Sequence, residues 1–160
     1  MNDKILERLQ NSVGESIVSS GEFRGDLTIV VKRDDIVRVC TVLKDDADLA
    51  FDMVVDLCGV DLYTPGERFE VVYNLYSTRN KSYVRLKVRA DESHPEVPTV
   101  TGVWSGANWH ERETFDMFGI VFTGHPDLRR MYMPEEFEYH PLRKDFPLMG
   151  IPDSIPLPRK

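Results

Sequence analysis

The run "HERETFDMFG", residues 110–119, sets His110, Glu111, Arg112, Glu113 and Asp116 within seven positions and closes on Phe118 and Gly119. Side chains of these types could ligate a metal, move protons, or grip a partner. A metal is poorly supported. His110 and Glu113 have i,i+3 spacing and His125 and His140 follow, but a lone H-x-x-E with no second ligand pair at helical spacing is a weak zinc signal. Two carboxylates beside a histidine suit hydrolysis, so a free-standing hydrolase using Glu111 and Glu113 is one reading. Against it, the acids sit beside arginine, which keeps them ionised and paired. Neither G-x-G-x-x-G nor a P-loop occurs, so no nucleotide site is recognisable. The residues by themselves therefore point to no catalytic, cofactor-binding or metal site in this chain, and leave the role of the run open.

Wound as a helix over 104–118, the segment brings Trp104, Ala107, Phe115 and Phe118 to one side, with Glu111 among them. A carboxylate on an apolar stripe must find an arginine or backbone donor or shift its pKa. A capping box with Asn108 at the N-cap and Glu111 at N3 is the plainer alternative. Arg112 and Asp116, four residues apart, are expected to pair on another side, and Gly119 supplies the stop.

The elements that must hold this helix are readable upstream. Residues 3–13 carry Ile5, Leu6, Leu9 and Val13 at helical spacing, with Asn2 or Asp3 as cap and Gly14 as stop. "SIVSSGEF" and "DLTIVVK" read as strands around Gly25. "RDDIVRVCTVLKDD" returns to helical spacing, with Asp34 as the expected N-cap. "FDMVVDLCGVDL", "RFEVVYNLYST" and "SYVRLKVRA" read as three strands, the last two joined by a "TRNK" turn. This order predicts an α+β fold: a mostly antiparallel sheet with helices packed on one face, followed by an extended proline-rich C-terminal arm. The expected division is 1–125 for the α+β domain and 126–160 for a partner-binding arm. Seven of the ten prolines lie at 126, 134, 141, 147, 152, 156 and 158, and proline cannot extend a ladder. Ten large apolar residues in the arm, from Leu128 to Met149, need a surface to cover.

At 160 residues, the chain has the size of one domain. Its 27 acids against 20 bases give a net charge of −7, which speaks against nucleic-acid binding. Cys40 and Cys58 form no C-x-x-C, so a zinc or iron–sulfur site built from this chain alone is not expected, and both read as buried small hydrophobes. No apolar run approaches the ~20 residues of a spanning helix. With no signal peptide recognisable in "MNDKILERLQ", a cytoplasmic chain with indirect membrane association is expected.

Two longer elements carry a resemblance. "NWHERETFDMFGIVFTGHPDLRR" and "HPLRKDFP" resemble the 30-kilodalton subunit family of proton-pumping NADH:quinone oxidoreductase, respiratory complex I. Glu111 through Phe122, Gly124 through Arg130, and His140 through Pro147 follow the family signature. Phe137 and Tyr139 stand where many relatives have Trp and Gly. The resemblance implies a non-catalytic hydrophilic-arm subunit, peripheral on the cytoplasmic side of the bacterial inner membrane. It implies packing against other members of the complex, chiefly the quinone-site subunit, with FMN and iron–sulfur clusters held by partner subunits. The equivalent subunit of a membrane hydrogenase or of a ferredoxin-using plastid or cyanobacterial complex is the nearest alternative. Glu111, Arg112, Glu113, Asp116, Arg129, Arg130, His140, Arg143, Lys144 and Asp145 are then the expected interface and structural residues. The tail bases are expected to face acids on a partner or on the "ERE" helix.

Overall fold

The computed structural model describes residues 1–151. Helix α1 (Asn2–Val13) and a 3-10 turn lead into strands β1 (Ile17–Phe23) and β2 (Asp26–Val31); α2 (Ile36–Asp45) follows. Strands β3 (Met53–Asp61), β4 (Phe69–Ser77) and β5 (Ser82–Ala90) come next, then β6 (Glu96–Pro98), α3 (Ala107–Phe118) and β7 (Val121–Thr123). The main sheet runs β1-β2-β5-β4-β3. Its pairings are antiparallel except β2 with β5, which is parallel. That one parallel contact makes the sheet mixed: α2, β3 and β4 intervene between the two strands, a connection long enough to bring β5 in beside β2 in the same direction.

Strand alternation decides which face is dry. Ile29, Leu86, Tyr73 and Leu57 lie in one register row, and Val31, Val88, Val71 and Gly59 in the next. All of these side chains point into the core, and Gly59, which has none, leaves a gap in the second row. Ile5 and Leu9 of α1, Val39, Cys40 and Leu43 of α2, Trp104 in the loop before α3 and Ala107 at its start close over them. The opposite face carries Arg85, Lys87 and Arg89, with Glu70 lying 2.9 Å from Lys87 Nζ and 2.9 Å from Arg89 Nε. Cys40 is buried as expected, whereas Cys58, on that opposite face, is only half-buried.

Gly59 sets the seat of α3. A Cβ there would fall 2.7 Å from the Phe118 ring and 2.9 Å from the Thr114 methyl, so the helix settles directly on the β3 backbone. The small parallel pair β6–β7 then flanks α3. Helix ends differ in detail from the pattern reading. Neither Asn2 nor Asp3 caps α1, and α2 starts after Asp35 with no side-chain cap, because a 3-10 turn at Arg33–Asp35 takes up Asp34.

Candidate functional site: helix α3 and the segment that closes on it

Helix α3 buries Ala107, Glu111, Thr114, Asp116 and Met117, while Phe115 and Phe118 are only half-buried. The expected stripe holds at Trp104, Ala107 and Glu111, which are buried, but Phe115 and Phe118 are more open than expected and Thr114, Asp116 and Met117 are buried beside it. Two surfaces cover the helix: the sheet beneath Thr114 and Phe118, and the segment after residue 124 beside Asp116.

Glu111 is fully buried. Its Oε1 accepts the Val100 amide at 2.8 Å, and its Oε2 accepts the Thr99 hydroxyl. A backbone donor is therefore present, as expected. The capping box is not: Gly106 occupies the N-cap, and the carboxylate reaches the preceding loop instead of its own helix start. His125 Nε2 lies 3.9 Å from Oε2, with both side chains sealed from solvent. Burial pushes the carboxyl up to about 7, against the smaller opposing effect of the Thr99 and Val100 hydrogen bonds. The same burial raises the Cys40 thiol and the Tyr73 hydroxyl, which share this dry region.

Asp116, five residues on and equally buried, has a different environment. Its Oδ1 accepts from Arg130 at 2.7 Å, and its Oδ2 accepts the amides of Met131, Tyr132 and Met133 at 3.0, 2.7 and 3.0 Å. Successive amides converging on one oxygen form an anion-binding nest. Burial pushes this carboxyl up, but the amides of Met133 and Tyr132, the Arg130 guanidinium and the Met131 amide outweigh it and hold the group below the usual carboxylate range. Arg112 does not pair with Asp116. It donates to the carbonyls of Arg129 and Arg130 at 3.1 and 3.4 Å and stacks over Trp109. The i,i+4 expectation fails because the tail supplies Asp116 with four donors and Arg112 is drawn to the tail's carbonyls.

The remaining expected residues divide in two. Arg129 pairs with Asp127 on the surface, and Glu113 is exposed. His140 and Arg143 turn inward, whereas Lys144 and Asp145 stay exposed and reach the domain through the Lys144 backbone amide and the Asp145 carboxylate. His140 Nδ1 meets the Asp116 carbonyl at 3.0 Å, and Arg143 Nε donates to the Phe118 carbonyl at 2.6 Å while its guanidinium sits over Phe69. The Lys144 amide donates to Asp61 Oδ2 at 2.8 Å, and Asp145 lies 3.0 Å from Arg68. Arg68 is buried and also holds Asp61 through two hydrogen bonds, at 3.0 and 2.8 Å. The Arg68 guanidinium, helped by the amides of Lys144 and Tyr63, lowers the Asp61 carboxyl to about 2. Asp61, Arg68, Thr99 and His125 belong to this site but were not singled out for these roles from sequence. Their partners lie 7 to 83 residues away in sequence, beyond any local spacing rule.

Among the described residues, no helix is long and apolar enough to cross a membrane, and no cluster of three or more His, Cys, Asp or Glu is placed to hold a metal ion. Arg112, Asp116 and the last carbonyls of α3 are engaged by the segment after residue 124. The family model for the respiratory-chain NADH dehydrogenase 30 Kd subunit matches residues 29–152, so the chain belongs to that family. It is 55% identical over 147 residues to the corresponding NADH-quinone oxidoreductase subunit of Roseiflexus sp. (strain RS-1), covering 92% of this chain and 84% of the relative. Against a corresponding subunit of Rhizobium meliloti (strain 1021), identity is 51%, with 94% and 82% covered. The trypsin-resistant fragment (1–134) of Nqo5 superposes with a TM-score of 0.68 at 33% identity, over 80% of this chain and all of the fragment. A polypeptide of the archaeal membrane-bound sulfane sulfur reductase shares the fold, with a TM-score of 0.75 at 24% identity, over 92% of this chain and 86% of that one. The chain is accordingly a subunit of NADH-quinone oxidoreductase, active only as part of that complex and with the complex's other subunits as its partners.

Proposed function

We propose that this chain is a cofactor-free structural subunit that packs chiefly against the quinone-site subunit, from a peripheral position on the cytoplasmic side of the bacterial inner membrane. FMN and iron–sulfur clusters belong to its partners. Residues 126–160 are the partner-binding arm, attached to the 1–125 domain by the inward contacts of Arg130, His140, Arg143 and Asp145. The observation that carries the reading is the outer surface of that arm: Tyr132, Tyr139, Leu142, Leu148 and Met149 are exposed there, the last two almost completely. Large apolar groups concentrated on one short segment mark a protein-binding surface.

Affinity purification of the tagged protein from detergent-solubilised membranes tests this, with cross-links identified by mass spectrometry. The expected result is a flavin-containing complex with NADH:quinone reductase activity, in which residues 139–149 cross-link to the quinone-site subunit. A complex without flavin supports the hydrogenase or ferredoxin-linked alternative. A protein recovered alone overturns both.

A further inference from the structure

We propose that residues 125–146 form a strap that closes on its own domain before any partner binds, with the Asp116 carboxylate as its lock. The inference begins at the C-terminus of α3. A helix leaves its last four carbonyls without intrahelical donors. Here all four are supplied. Gly119 N donates to the Phe115 carbonyl at 2.8 Å. His140 Nδ1 meets the Asp116 carbonyl at 3.0 Å, Leu142 N donates to the Met117 carbonyl at 3.1 Å, and Arg143 Nε donates to the Phe118 carbonyl at 2.6 Å. Only the first donor is local to the helix. The other three come from "HPLR", more than twenty residues downstream.

Asp116 sharpens the point. An anion in the last turn of a helix is opposed by the helix dipole, and this one is also buried. Arg130 and the Met131–Met133 amides reverse that disadvantage, and all of them belong to the strap. Without the strap, the Asp116 carboxylate and three carbonyls of the helix end would lose these donors and be left to water. Gly119 leaves room for the closure. Its φ is 73°, and a Cβ would fall 2.4 Å from Arg143 Nη2 and 2.5 Å from His140 Nε2. Beyond the helix end, the Lys144 amide and the Asp145 carboxylate reach the Asp61–Arg68 pair at the far end of β3. The strap also has an aromatic centre: Phe137 is buried, with Tyr139 and Phe146 at ring distances of 5.5 and 6.3 Å. A partner therefore meets a surface that is already ordered, and association carries little further ordering entropy for this segment.

Residue-resolved hydrogen exchange on the isolated full-length protein tests the proposal. The amides of Met131, Tyr132, Met133, Leu142 and Lys144 are expected to exchange at least ~100-fold more slowly than an unstructured peptide. Glu135 and Glu138, whose amides make no bond to the described residues, are expected to exchange near the free rate. Asp116→Asn should speed the 131–133 amides at least ~10-fold while the centres of β4 and β5 stay protected. If Asp116→Asn also strips β4 and β5, Gly119→Ala serves instead: it should release Leu142 and Lys144 and leave 131–133 slow. Free-rate exchange of all five amides in the wild-type protein, with β4 and β5 protected, overturns the strap and assigns its ordering to the partner. Protection at 131–133 that survives Asp116→Asn overturns the lock. Neither result bears on whether the protein enters the complex, which the purification reads separately.

Discussion

The two halves of α3 solve one problem in opposite ways. Around Glu111, a carboxyl lies among apolar side chains with two donors, and its proton affinity rises until it titrates near neutrality. Around Asp116, an equally buried carboxyl meets a guanidinium and three amides and stays ionised. Burial alone does not decide the state of an acid; the number and charge of its donors do. The Glu111 half belongs to the interior of the domain. The Asp116 half joins that interior to the tail.

The largest expected effect comes from Asp116→Ala. It leaves Arg130 and three amides without their acceptor, and losing one side of a buried charge pair costs about 3–5 kcal/mol. Urea unfolding at pH 7 measures it. A loss under about 1 kcal/mol would show that water replaces the carboxylate, and the contrast between the two halves would collapse.

Next is a difference in the sign of pH dependence. The folded-state pKa of Glu111 is raised from 4.5 to about 7. Its contribution is complete below about pH 4.5 and is lost as pH rises toward 7, a decline of about 3 kcal/mol at 1.36 kcal/mol per pH unit. Asp116 has a lowered folded-state pKa, so its contribution is present above its ordinary value of 3.8 and is lost as the solution becomes more acid. Stability measured from pH 3 to 8 separates them. Glu111→Gln should flatten the decline between pH 4.5 and 7 and leave the acid limb intact. A Glu111→Gln curve parallel to wild type throughout would show that Glu111 does not titrate in that window.

The same contrast explains what was legible in the sequence. Strands β3, β4 and β5 and helices α1 and α2 were readable because each repeats its period over nine or more residues. Strands β6 and β7 were not: each has three residues, one includes Pro98, and their parallel pairing joins segments 25 residues apart. Within α3, the apolar neighbours of Glu111 announced a buried carboxyl, but nothing local named Thr99 or Val100 as its partners. For Asp116 the local rule misled. Spacing offered Arg112, while the donors actually used lie 14 to 17 residues downstream. The basic and proline-rich tail was legible as something that must pack. Which of its bases would turn inward depends on Gly119 and the helix terminus, a three-dimensional fact. Pro152, Pro156 and Pro158, part of the arm expectation, lie outside the described residues.

The smallest expected effect on stability belongs to the third acid of α3. Glu113 stands between the two buried carboxyls in sequence but faces outward, and it has no ion pair among the described residues. An exposed side chain away from caps and buried networks contributes within about 0.5 kcal/mol. Glu113→Arg should therefore leave the urea midpoint of the isolated protein unmoved. If the outer side of α3 faces a partner subunit, the reversed charge acts there instead, by like-charge contact or by loss of a rim pair, and recovery of the assembled complex falls. The two measurements are made on the same variant, one on the protein alone and one on solubilised membranes. A stability loss above about 1 kcal/mol would place Glu113 with the buried pair, leaving no outward acid on this helix. Unchanged stability and unchanged assembly together would remove Glu113 from the interface and confine the contact to the tail.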